Sequence, residues 1–249
     1  MRILNHTPWG GAIPRNPLSP FNTKIHQFEV VDERQKDLKN RYLLYSQITV
    51  STTYKWIVKI LERIDVNLSD VRPLIKMFAR GRQGYRINHD ELPPVDVSSI
   101  NLDINSLIIF LDILLDDTSR FLEYLFKKPH FLEFGSFKDL KYSMNKCGGE
   151  RVEELNKIIQ RTDWYHELNR LRNQPVVHIG ARNPMIESRG DNVGIYLRTR
   201  TSKYKISAGK FMSNLEIDEL CDNVHSFLTE LNDFLCKNFE YLPMEARKK

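Results

Sequence analysis

Apolar residues recur at three- and four-residue steps along most of this chain, the spacing of one face of an α-helix. From Asp32 to Ile64 they are Leu38, Tyr42, Tyr45 and Ile48, then Trp56, Ile57, Ile60, Leu61 and Ile64. The run Ile48-Thr49-Val50-Ser51-Thr52-Thr53, rich in β-branched side chains, leaves open whether this is one bent helix or two. Leu102 to Lys128 is the clearest helix, with Ile104, Leu107, Ile108, Leu111, Leu114, Leu115, Leu122 and Leu125 on a broad face. Ile109, Phe110 and Ile113 extend that face almost all round, which predicts a central helix buried on several sides and stopped by Pro129. Residues 129–149 read as a connection holding a short helical piece. A further helix is expected over Glu150–Leu171, with Val152, Leu155, Ile158, Ile159, Trp164, Tyr165, Leu168 and Leu171. The last spans Glu216–Phe239, on the stripe Ile217, Leu220, Val224, Phe227, Leu228, Leu231, Phe234 and Leu235.

Two stretches break the pattern. Pro8, Pro14, Pro17 and Pro20 predict an extended arm over residues 1–30, because regularly placed prolines deny helix and sheet. Val193–Arg200 and Lys203–Ser207 alternate with a period of two, which predicts a β-hairpin turning near Thr201-Ser202. Pro93 and Pro94 mark a connector. The expected fold class is therefore mainly α, an antiparallel helical bundle with a small β-hairpin before the last helix. The expected organisation is an arm over 1–30, a helical extension with a basic loop over 31–99, and the bundle over 100–249.

Composition narrows the class. The chain has 249 residues, 41% of them apolar, and a net charge of +5. That balance permits an anionic partner without requiring one. Cys147, Cys221 and Cys236 form neither a CxxC pair nor an even framework, which predicts free thiols and a reducing, cytoplasmic setting. Cys221 and Cys236 are too far apart along one helix to share a metal, and no metal or cofactor is expected. Met1–Gly11 lacks the apolar core of a signal peptide, and Leu107–Leu115, interrupted by Asp112, is too short to span a bilayer. No membrane partner is expected.

The candidate chemistry concentrates in Leu171-Arg172-Asn173-Gln174-Pro175-Val176-Val177-His178. Arg172 supplies a permanent forked cation suited to phosphate, and His178 can move a proton near neutral pH. Pro175 is at home in a first helical turn, so the preceding helix should end near Arg172 and a new one begin at Asn173 or Gln174. The N–H groups of that new terminus would favour an anion. Arg161 with His166, and Arg82 with His89, offer rival spacings but not this context. Val71 to His89 holds no acidic residue, and Arg80, Arg82 and Arg86 there, with Gly84 and Tyr85, are candidates for tracking a phosphate backbone. Arg198 and Arg200 in the hairpin are further candidates for substrate binding.

Other residues read as structural. His225 lies beside the stripe of the last helix. Asp112, Asp116 and Asp117 form a polar seam that either pairs with basic neighbours or orients a catalytic group. Ser136 and Ser143 lack a nucleophile elbow, and no Walker or Rossmann glycine loop is present.

Arg172-Asn173, with His178 after four more residues and a strong helix before them, resembles the Arg…His motif of HEPN domains. That resemblance implies a helical bundle and a metal-independent endoribonuclease. It implies catalytic roles for Arg172, Asn173 and His178, with RNA as substrate. It further implies a homodimer whose two motifs share one cleft, and a toxin–antitoxin or antiviral context with a possible antitoxin or regulatory protein as partner. The alternative is a non-catalytic HEPN-like module that binds a nucleotide, RNA or a protein.

Overall fold

The structure is a computed structural model. It describes the backbone of residues 16–79, 97–127, 132–173, 185–189, 192–202 and 205–248, and the side chains of 16–67, 99–100, 102–127, 132–173 and 216–248. The protein is mainly helical, with small antiparallel sheets. Its contacts divide it into two compact units. One holds Ile57–Phe110 and Tyr165–Asp222; the other holds Arg15–Trp56, Leu111–Trp164 and Asn223–Lys249.

The arm is not extended throughout: Ser19–Gln27 is helix α1. Pro20 falls in its first turn, where a missing N–H and a fixed φ cost nothing. Leu18, Phe21 and Ile25, at helical spacing, are fully or almost fully buried. The first-turn N–H of Phe21, which has no partner within its own helix, donates to Asn232 Oδ1 at 3.1 Å. The Phe21 ring meets Phe121 and Phe239 edge-on, with centroids 5.8 and 5.9 Å away.

Helix α2, Glu33–Tyr42, starts where the Asp32 carboxylate accepts from the Gln35 N–H. It leads into a π-helical stretch, Leu43–Val50, and then α3, Ser51–Ala79. The π stretch overlaps the segment that sequence left open at Ile48–Val50. Ser51 Oγ donates to the Ser46 carbonyl at 2.9 Å, and Ser46 Oγ to Tyr42 O and Asn22 Oδ1. The wider turn shifts the helical phase. Ile48 and Trp56, expected on the buried face, are consequently 60% and 50% exposed.

Helix α4, Val97–Glu123, contributes to both units. Its apolar face is not continuous: Ile113 is exposed, as is Leu102, while Leu111, Leu114, Leu115 and Leu122 are fully buried. Helix α5, Phe137–Met144, is capped by Ser136, and its Phe137 N–H donates to Asp116 Oδ1 at 2.9 Å. Strand β1, Cys147–Gly148, pairs with β5, Arg247–Lys248, in an antiparallel sheet. Between β1 and α6, Glu150–Gln160, stands Gly149 at φ +118°, a left-handed conformation that side chains resist.

The single helix expected over 150–171 is two, α6 and α7, Tyr165–Leu171. Thr162 ends the first: its hydroxyl donates to Ile159 O, and its carbonyl and Oγ1 both accept from Lys141 Nζ at 3.0 and 3.1 Å. A carbonyl held by a remote lysine no longer needs the next helical N–H.

In the unit containing α7, the core comprises Ile57, Leu61 and Ile64 of α3, Ile104 and Leu107 of α4, and Leu168 and Leu171 of α7. The expected hairpin is larger than its sequence signal. Strands β2, Met185–Arg189, β3, Asn192–Ser202, and β4, Lys205–Ser213, form one antiparallel sheet in that order. Thr201 and Ser202, expected at the turn, lie within β3, where Ser202 pairs with Lys205. Helix α8, Asn214–Lys237, follows directly. In the other unit its Val224, Leu228, Leu231 and Leu235 are completely buried. No helix among the described residues is long and apolar enough to cross a membrane.

Because Phe21 is completely buried between two rings, Phe21→Ala should lower unfolding stability by about 3–5 kcal/mol. Urea denaturation would check this; a loss below about 1 kcal/mol would mean that α1 is not part of the cooperative core.

Candidate functional site

Arg172 and Asn173 continue beyond the last turn of α7, and both side chains are exposed. The helix reaches this point because Tyr165, Leu168 and Leu171, at three-residue spacing, anchor one side of it in the core. Its outer side is polar. Arg170 donates to both oxygens of Glu167, at 2.8 and 2.7 Å, a bidentate fork one turn apart. Asn173 Nδ2 donates to Asn169 Oδ1 at 2.8 Å. The α-helical part runs to Leu171, and the chain continues as a π-helical turn through Arg172 and Asn173. His178 lies outside the described residues, as do Gln174–Val177 and the new helix expected there.

Arg80, Arg82 and Arg86 also lie outside the described residues. The basic segment before them is helical through Ala79. Arg198 and Arg200 lie on β3. Arg200 is in register with Ile206, and Arg198 falls at an irregularity between Leu197 and Thr199. The described part of the molecule therefore brings Arg172 and Asn173 together at one helix end. The rival Arg161 is committed elsewhere, pairing with Glu230 at 3.4 Å.

The acids of α4 serve the fold. Asp116 caps α5, as above. Asp117, buried, accepts from Thr53 Oγ1 at 3.0 Å and lies 3.7 Å from Arg120. Burial raises its carboxyl above the ordinary carboxylate range, while Thr53 and Arg120 pull it back. Ser136 is a helix cap, and Ser143 Oγ accepts from the Glu133 N–H.

His225 has a partner that sequence reading missed. Tyr54, completely buried, places Oη 2.9 Å from His225 Nδ1. The two positions are 171 residues apart. Local pattern carried no signal for the pair beyond Tyr54 standing at the start of an apolar stripe. Burial lowers the imidazole pKa and so favours the neutral ring. With Tyr54 sealed from solvent, the pair is suited to holding two helices in register rather than to meeting a substrate.

Among the described residues, two concavities lie in the unit that contains α5 and α6. One, about 410 Å³, is lined by Lys127, Gly149, Arg151, Tyr241 and Met244, with the Arg151 guanidinium 3.6 Å from the Tyr241 ring centre. The other, about 350 Å³, lies along Ile158 and Phe234 and is bordered by the Arg161–Glu230 and Lys237–Glu154 ion pairs. Neither contains Arg172 or Asn173. Among the described residues no three His, Cys, Asp or Glu side chains are grouped to hold a metal ion. Comparison with known protein families, with curated proteins and with solved structures finds no match to this chain.

The buried environment of His225 sets a checkable sign. A histidine whose folded pKa lies below the ordinary 6.5 contributes stability that is present above 6.5 and lost as pH falls through the folded value. An NMR titration of the His225 ring should give a midpoint below 6.5. In Tyr54→Phe the midpoint should move while the fold is kept. A ring titrating at or above the ordinary value in the wild type would contradict the assigned burial.

Proposed function

We propose that this protein is a metal-independent endoribonuclease of HEPN type. The observation that carries the reading is the solvent exposure of Arg172 and Asn173 in the π-helical turn that follows α7. His178 follows a few residues on. The mainly helical architecture is compatible with a HEPN-like bundle, and the sheet β2–β4 is then an insertion between the motif and the last helix.

The proposed reaction is attack of a ribose 2′-oxygen on the adjacent 3′-phosphate. The bond from phosphorus to the 5′-oxygen breaks. A 2′,3′-cyclic phosphate and a 5′-hydroxyl result. His178 takes the 2′ proton or supplies one to the leaving oxygen. Arg172 neutralises the extra negative charge of the pentacovalent phosphate. Asn173 holds the phosphate or the guanidinium by hydrogen bonds. Two chains would face each other across the cleft, so that an isologous dimer carries two copies of the motif. Arg80, Arg82, Arg86, Arg198 and Arg200 would track the RNA backbone. The context proposed for this activity is a toxin–antitoxin or antiviral system.

Purified protein incubated with RNA and excess chelator should cleave it, leaving cyclic phosphate and 5′-hydroxyl ends. Arg172→Ala and His178→Ala should each be slower by about 100-fold or more. Equal cleavage by all three proteins, or by none at any dose, removes the enzymatic reading. RNA binding without cleavage would point instead to the non-catalytic module. Separately, Arg198→Ala with Arg200→Ala should weaken RNA binding. It should also flatten the slope of log affinity against log salt by about 1–2; an unchanged slope would take β3 out of the interface.

A further inference from the structure

Three carboxylates fall in the unit that contains α7: Asp65 on α3, and Asp218 and Asp222 one turn apart on α8. Asp218 is only 9% exposed. Its Oδ1 and that of Asp222 are both sealed from water and, among the described residues, meet no hydrogen-bond donor. An ionised carboxylate is stable in such a place only with a donor or a cation beside it. The described charges acting on Asp218 are of the wrong sign: Asp222 on its own helix and Asp65 on α3. Cys221, adjacent on the helix, is completely buried, and burial and these acids keep it a neutral thiol. No group of three metal-ligating side chains occurs here among the described residues. The cation that fits two sealed oxygens without donors is a proton.

We propose that Asp218 and Asp222, under the charge of Asp65, form a proton-binding cluster that ties the stability of this unit to pH. Burial, then Asp222 and Asp65, push Asp218 from 3.8 up to about 7, and burial raises Asp222 as well. The folded chain then holds a proton that the unfolded chain releases above the ordinary carboxylate range. Stability from this source is fully present below about 3.8 and is lost as pH rises to about 7. This is opposite in sign to the effect of His225. The cluster is independent of the chemistry proposed at Arg172.

The test compares the full chain with Asp218→Asn by thermal unfolding between pH 5.5 and 8.5. An asparagine keeps the shape and supplies N–H donors to Asp222. The melting temperature of the variant should rise relative to wild type as pH increases, the gap widening by about 3–8 °C across the range. A gap that stays constant with pH overturns the proposal. Should the variant fail to fold, a carbon-detected NMR titration of the wild-type aspartates decides: an Asp218 midpoint near 7 supports the cluster, and one in the ordinary carboxylate range overturns it.

Discussion

Apolar helix stripes left in water cost about 25 cal/mol for each Å², and this chain carries several that are too wide for a single neighbour to cover. In one unit the α4 residues Leu111, Leu114, Leu115, Phe121 and Leu122 are buried together with Val224, Leu228, Leu231 and Leu235 of α8. Phe137 meets Phe227 edge-on at 5.4 Å. Helix α1 belongs to the same core, where Phe21 touches both Phe121 and Phe239. The C-terminal segment is tied to it by backbone bonds from Met244 N to Leu125 O and from Lys127 N to Met244 O. Short elements at both ends of the chain are thus recruited because the long helices cannot bury themselves.

The polar groups at the helix ends follow from that packing. A helix that ends inside a protein leaves N–H or C=O groups without partners, and each must be met from elsewhere. Asn232 meets the Phe21 N–H, Asp116 the Phe137 N–H, and Lys141 the Thr162 carbonyl. Lys141 is half-buried in doing so, and its pKa is lowered by that burial. Arg63 and Asn67 of α3 similarly reach Asp103 of α4, a carboxylate almost wholly out of water. The first three contacts satisfy helix ends, and all of them place polar residues among otherwise apolar faces.

Several features were readable from local pattern: the long helices over α3, α4 and α8, a short helical piece somewhere within 129–149, and the alternation of β3. Others depended on distant residues. The break between α6 and α7 is invisible in the periodicity of 150–171, because the donor that ends α6 comes from Lys141 on another helix. The prolines of the arm looked like breakers, yet Pro20 sits in the one turn where proline suits a helix. Of the candidate site, the helix leading to Leu171 was legible from the spacing of Tyr165, Leu168 and Leu171. The exposure of Arg172 and Asn173 required knowing which side of α7 faces the core. The Tyr54–His225 contact, between positions 171 residues apart, could not be paired from local pattern.

By itself the sequence determined the helical class, the alternating strands and the residue types able to grip a phosphate and move a proton. Those properties are encoded within a few turns of chain, where spacing and side-chain chemistry act directly. Tertiary structure alone decided which faces are covered, where helices end, and which acids share a sealed environment. Such outcomes depend on contacts between residues far apart in the chain, and burial changes the energy of a charge far more than any neighbour in sequence does.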